Sequence, residues 1–148
     1  MSDVKGAAGL RATLSFNLGT LGALAAERFA ERIEALGVKP KHAGLLAALD
    51  AGPAASQQDL AKRLDVAPSL VVALADQLQE LGALERIRDP RDRRRQVLSL
   101  TPGGRALLER CAQAARSLDD ELAADLSDAQ RSALEQGLRL LGGRHLPH

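Results

Sequence analysis

A mainly α-helical fold carrying one small β-hairpin is predicted by three features of this 148-residue sequence. Apolar residues recur at three- and four-residue steps along most of the chain, the period of helices with one buried face. Two short helical segments, entered at Ser56 and Pro68, are separated only by a tight turn at Asp65 and Val66. Directly after them, the run ALERIRDPRDRRRQVLSLTPGG from Ala83 to Gly104 sets two β-prone stretches around an arginine-studded, proline-containing turn. Two short helices joined by a turn and followed by a hairpin make a helix-turn-helix with a wing.

The first helix is expected from about Leu10 to Leu36, because Leu14, Leu18, Leu21, Ala25, Phe29, Ile33 and Leu36 form one continuous stripe. Gly37 ends it, and Pro40 restarts the chain in a short helix through Leu45, Leu46 and Leu49. Gly52 and Pro53 break that helix. Ser56 is a good N-cap, and Asp59 three residues on completes a pattern like a capping box for a helix carrying Leu60, Ala61 and Leu64. Pro68 suits the first turn of the next helix, which is expected to bury Val71, Leu74, Leu78 and Leu81 before Gly82 stops it. Val97 to Leu100 forms the second strand and delivers the chain to Thr101 and Pro102. These open a long helix marked by Leu107, Cys111, Ala115, Leu118 and Leu122; Ser127 with Gln130 opens a last one carrying Leu134, Leu138 and Leu141. The expectation is six helices and one wing.

Length allows a single domain, residues 1–148, with a sizeable core. Hydrophobic residues at 45% and charged residues at 26% are ordinary globular values and argue against a disordered chain. Lys plus Arg at 20 against Asp plus Glu at 19 leaves a net charge of +1, so total charge is silent about nucleic acid. Its distribution is not. Arg86, Arg88, Arg91, Arg93, Arg94 and Arg95 crowd one segment, whereas Asp119, Asp120, Glu121, Asp125 and Asp128 crowd another. A basic edge on a nearly neutral protein steers a polyanion to one place. Aromatics stand at 1%, only Phe16 and Phe29, which nearly excludes base stacking as a route to single strands or RNA loops.

The lone Cys111 cannot form an internal disulfide, in keeping with a reducing compartment. Ala12 to Ala26, with Lys5 and Arg11 ahead of it, superficially resembles a signal-peptide core. Ser15, Asn17 and Thr20 interrupt it, and its apolar spacing runs on to Leu36, so it reads as an amphipathic helix rather than a signal or a membrane span. A cytoplasmic protein without membrane contact is expected. The helices at both ends carry more apolar stripe than a small winged domain can cover. Residues 1–36 and 102–148 are therefore assigned to a two-fold homodimer interface, and residues 40–101 to a DNA-binding lobe.

In such a lobe the second helix lies in the major groove. Its outward positions here are Ser69, Leu70, Val72, Ala73, Asp76 and Gln77. Leu70, Val72 and Ala73 make no bidentate bonds to bases but can pack on thymine methyl groups; the alternative is that Leu70 and Val72 are core. Helix N-termini near Ser56 and Ser69 can offer N–H groups to phosphates. The wing tip, Asp89 to Arg95, is the stronger signal, because a guanidinium gains from the potential of a narrow A·T-rich minor groove. Asp92 is expected to pair with Arg94 while Arg93 projects. The DNA-contacting set is Ser56, Gln57, Pro68, Ser69, Leu70, Val72, Ala73 and Gln77 from the helices, with Arg88, Arg91, Arg93 and Arg94 from the hairpin.

The run SQQDLAKRLDVAPSLVVALADQLQELGALER and the wing DRRRQVLSLTPGG, with its Asp-x-Arg, hydrophobic strand and Leu-Thr-x-x-Gly, resemble the MarR family of transcription regulators. The likeness extends more loosely over most of the chain. It implies six helices plus a wing, assembled as dimers through both terminal regions, with Asp92 and Arg94 as the wing pair and Arg93 as the minor-groove arginine. Leu70, Val72 and Ala73 stand where relatives often carry Thr, Thr and Arg, so base preference does not carry over. The resemblance further implies a repressor released by a small, often phenolic or anionic, effector, bound between the dimer helices and the DNA-binding lobe. His42 is the titratable residue assigned to such a pocket, beside Ala43, where relatives often have a bulky aromatic; the alternative is a surface or helix-start residue. Cys111, on the apolar stripe of the fifth helix, reads as an inert hydrophobe rather than a redox sensor.

The expected function is a sequence-specific double-stranded DNA-binding regulator whose dimer reads a pseudo-palindrome with half-site centres one helical turn, ~34–36 Å, apart. The competing reading is a winged helix used for protein–protein interaction without an operator. An enzyme is not expected, since no Gly-rich phosphate loop, metal-ligand spacing or Ser-His-Asp set is visible. His145 and His148 are too few to argue for a metal, and no cofactor is expected.

Overall fold

The structure, a computed structural model, describes residues 9–146. Lys5, His148 and the outermost residues of the expected dimerisation segments lie outside the described residues. The chain divides into two compact units, Met1–Pro40 and Lys41–His148.

The first unit holds helix α1, Leu14–Ile33. It begins four residues after the expected start at Leu10, because the Thr13 side chain accepts a hydrogen bond from Phe16 N (3.2 Å) and so acts as the N-cap. α-Helical geometry ends at Ile33, and a 3-10 turn, Glu34–Leu36, leads to Gly37 at φ 79°. Glycine takes that left-handed conformation without the Cβ clash other residues meet. Of the α1 residues only Ile33 is buried; Leu14 is 78% exposed, and Leu18 and Leu21 are exposed beside it.

The second unit begins within α2 (Pro40–Asp50), which buries His42, Ala43, Leu45, Leu46 and Leu49. Helix α3 (Gln57–Leu64) buries Leu60 and Ala61. It ends at Asp65, whose φ of 53° reverses the chain while its N–H bonds back to α3. A short polar side chain tolerates that conformation better than a branched one, which suits Asp65 to the turn. Helix α4 (Pro68–Glu80) turns Val71, Leu74, Ala75 and Leu78 inward. Leu81 departs from expectation: it follows the last helical residue and is 54% exposed, because the chain leaves the helix before that position can face the core.

Gly82, at φ 74°, turns the chain into β1 (Leu84–Arg88), which pairs antiparallel with β2 (Gln96–Leu100) from Leu84↔Leu100 to Arg88↔Gln96. The second strand begins one residue before its expected start at Val97. A third edge was not legible in the sequence: Ala55, just before α3, bridges Leu98, whose N–H donates to Ala55 O (2.9 Å). That bridge ties the wing's second strand to the entrance of the helix-turn-helix.

Helix α5 (Pro102–Leu122) starts under the hairpin. The Thr101 hydroxyl accepts from Gly104 N (3.0 Å) and donates to Gly82 O. A Cβ on Gly104 would lie 1.8 Å from Ala83 O, so only glycine lets α5 approach the chain entering β1 this closely. Helix α6 (Asp128–His145) opens on a reciprocal capping box between Ser127 and Gln130. Arg131 on α6 holds Asp120 at 2.9 Å and Glu135 at 3.1 Å. No described residue of α6 is buried, and Leu134, Leu138 and Leu141 stand exposed. Among the described residues, no helix is long and apolar enough to cross a membrane.

Candidate nucleic-acid interface

Val71, Leu74 and Leu78 anchor α4 in the core, and this leaves Pro68, Ser69, Val72 and Ala73 exposed at its N-terminal half. Val72 is 38% exposed and Leu70 half-buried, so the outward surface is small and apolar. Ala67 caps α4 without a side-chain hydrogen bond, and the first turn holds no carboxylate. The positive end of this helix is therefore open to an anion. At α3 the Ser56 hydroxyl already accepts from Asp59 N (3.1 Å), and Asp59 puts a negative charge in the first turn. The two helix starts are electrostatically unequal, and the one at Ser69 is the better match to a phosphate.

The wing tip is built by its own aspartates. Asp89 Oδ1 accepts from Arg91 N (2.9 Å), and Asp92 Oδ1 accepts from Arg94 N (3.1 Å), two successive turns in which a side chain replaces a backbone acceptor. Backbone bonds from Asp92 N to Asp89 O (3.2 Å), Arg95 N to Asp92 O (2.9 Å) and Asp89 N to Arg95 O (2.8 Å) close the loop. Arg94 Nε lies 3.4 Å from Asp92 Oδ1. Arg88 donates to Arg93 O (3.3 Å), bracing the tip from below. The guanidiniums of Arg91 and Arg93 have no ion-pair partner among the described residues, and both residues are exposed.

The other two arginines of the cluster have different work, which residue type alone could not reveal. Arg95 donates to Ser56 Oγ (2.9 Å) and to Asp59 Oδ2, latching the end of the tip to the start of α3. The Ser56 hydroxyl first, and then Arg95, hold the Asp59 carboxyl below its ordinary range against the opposing effect of burial. Arg86 reaches from β1 to Gln57 Oε1 (3.0 Å), Asp76 Oδ1 (2.6 Å) and Gln79 Oε1. Gln57 and Ser56, both in the expected DNA-contacting set, thus have side chains engaged inside the lobe.

His42 is buried on α2, and its Nε2 donates to Gln77 Oε1 at 2.5 Å. It stands in the first turn of α2, at a helix start but not at the surface. Gln77 is exposed, but its oxygen is turned to His42. Cys111 is buried on α5, and burial pushes its thiol pKa up, which keeps the reactive thiolate scarce. Among the described residues, no group of three or more His, Cys, Asp or Glu is placed to hold a metal.

The sequence model of the MarR family matches residues 36–95. A Thauera aromatica protein named "Putative transcriptional regulatory protein for hcr operon" is 38% identical over 122 residues, covering 82% of this chain and 74% of that protein. The solved structure of the transcriptional repressor CouR bound to a 23-mer DNA duplex shares 30% identity at a TM-score of 0.74, covering 88% of this chain and 92% of that one. CouR from Rhodococcus jostii RHA1, solved with p-coumaroyl-CoA, shares the fold at 21% identity and a TM-score of 0.77, covering 94% of this chain and 96% of that one.

Proposed function

The chain belongs to the MarR family of transcriptional regulators, and on that premise we propose that it is a repressor that binds a specific double-stranded DNA operator as a homodimer. The observation that carries this reading is the wing tip. Its fold is held by Asp89 and Asp92, so the guanidiniums of Arg91 and Arg93 remain available to a minor groove. Beside it, α4 offers an uncountered N-terminus at Ser69 for phosphate, with Val72 and Ala73 suited to thymine methyls. A similar protein solved on a 23-mer duplex supports the same use.

Residues 40–101 form the reading lobe in this proposal. The segments 1–36 and 102–148 supply the two-fold contact, motivated by the uncovered leucines of α1 and α6. The protein acts in the cytoplasm, where its duplex lies. A small anionic or phenolic effector lowers operator affinity, a reading supported by the shared fold of a protein that holds p-coumaroyl-CoA. His42 is the residue through which an effector signal reaches α4, because it already touches Gln77.

A gel shift at physiological salt, comparing the DNA upstream of its own gene with random duplex of equal length, tests the reading. Binding tighter than to random duplex by a factor of roughly a thousand or more is expected. Equal binding to both would favour a protein-interaction module. Adding aromatic acids or their thioesters to wild type and His42→Ala tests the effector, and equal release of both proteins would remove His42 from its path.

A further inference from the structure

We propose that Arg86 is a positioning residue that sets base discrimination without touching DNA, by fixing the rotation of α4 against the wing; this rests on the DNA-binding reading above. One guanidinium on β1 holds Asp76 and Gln79 of α4 and Gln57 at the start of α3. Its side chain is only 19% exposed. Arginine's planar fork is suited to several acceptors at fixed angles, which a lysine ammonium on a flexible stem is not. On the opposite strand, the register partner of Arg86 is Leu98, itself bridged to Ala55. The anchor is therefore tied to the helix-turn-helix on both strands.

The acceptors are the informative part. Asp76 lies two turns beyond Ser69 along one line of α4, so holding Asp76 holds the line that presents Ser69, with Val72 and Ala73 on either side. These three are small side chains. They have no long reach with which to correct a misaligned helix, and a contact between a methyl group and thymine is lost within about an ångström of displacement. A recognition surface without long hydrogen-bonding side chains depends more than usual on where its backbone is held. Arg86 also neutralises Asp76, a carboxylate that would otherwise face phosphates from the reading helix.

The test uses the full-length protein and a duplex enriched by selection from a random pool. Affinity for that duplex and for random duplex is measured over a salt series for wild type, Arg86→Lys and Asp76→Asn. For Arg86→Lys, the ratio of selected to random affinity falls about tenfold, while random-duplex affinity and the salt slope stay unchanged because the charge is kept. Asp76→Asn loses the ratio similarly and binds random duplex at least as well as wild type; it decides the matter if Arg86→Lys does not fold. A folded variant of either kind that keeps the wild-type ratio overturns the proposal. So does a parallel fall of both affinities with the ratio intact, which a merely stabilising arginine would give. A wild type that prefers no selected duplex refutes the DNA-binding reading itself, and the role of Arg86 with it.

Discussion

Arg93 and Arg86 lie seven positions apart in one basic segment, yet their surroundings give them different physics. Arg93 is exposed at a tip folded by Asp89 and Asp92, so its charge is unspent. Replacing it with alanine should leave the fold intact, cost about 1–3 kcal/mol of DNA affinity and reduce the salt slope by about one. Titration of labelled duplex at several salt concentrations measures both, and unchanged affinity at fixed salt would remove Arg93 from the interface. Arg86 is folded beneath three acceptors from two helices and has little charge left for DNA. The crowding of arginines was legible in the sequence. Their division between brace and contact was not, since it depends on which side of a strand faces α3 and α4.

At the level of elements, the start of α5 packs closely against the backbone at Ala83. A Cβ at Gly104 would meet Ala83 O at 1.8 Å and Leu100 Cδ2 at 2.7 Å; the first of these is backbone and cannot rotate away. Gly104→Ala should therefore destabilise the protein by about 1–3 kcal/mol or more, the range of an overpacked core. Gly103→Ala, whose Cβ would sit 3.0 Å from Gly82 O, should cost less. Denaturant unfolding compares the two, and equal stability of Gly104→Ala and wild type would contradict this packing. The helices themselves could be read from apolar spacing and caps: Ser56, Thr101 and Ser127 each accept the bond their positions suggest. Spacing failed where contact is nonlocal. Ala55 pairs with Leu98, 43 positions away, and nothing near Ala55 marks it as a strand. Leu81 matched the helical period but falls after the last helical residue, where the period no longer says which way a side chain points.

At the scale of the whole molecule, most of the uncovered leucine surface belongs to the chain's terminal helices. Leu14, Leu18 and Leu21 on α1 and Leu134, Leu138 and Leu141 on α6 remain exposed in the single chain. Exposed apolar helix faces on a soluble protein commonly mark where a partner binds. In the homodimer proposed above, a two-fold axis would cover those faces and duplicate the wing and α4, turning one lobe into a reader of a symmetric duplex. Hydroxyl-radical footprinting of the selected duplex, with wild type beside Arg93→Ala, probes that arrangement directly. Two equivalent protected halves are expected, with centres one helical turn, ~34–36 Å, apart and flanking minor-groove protections that disappear in Arg93→Ala. A single unsymmetrical patch, or flanking protections that survive the substitution, would contradict it.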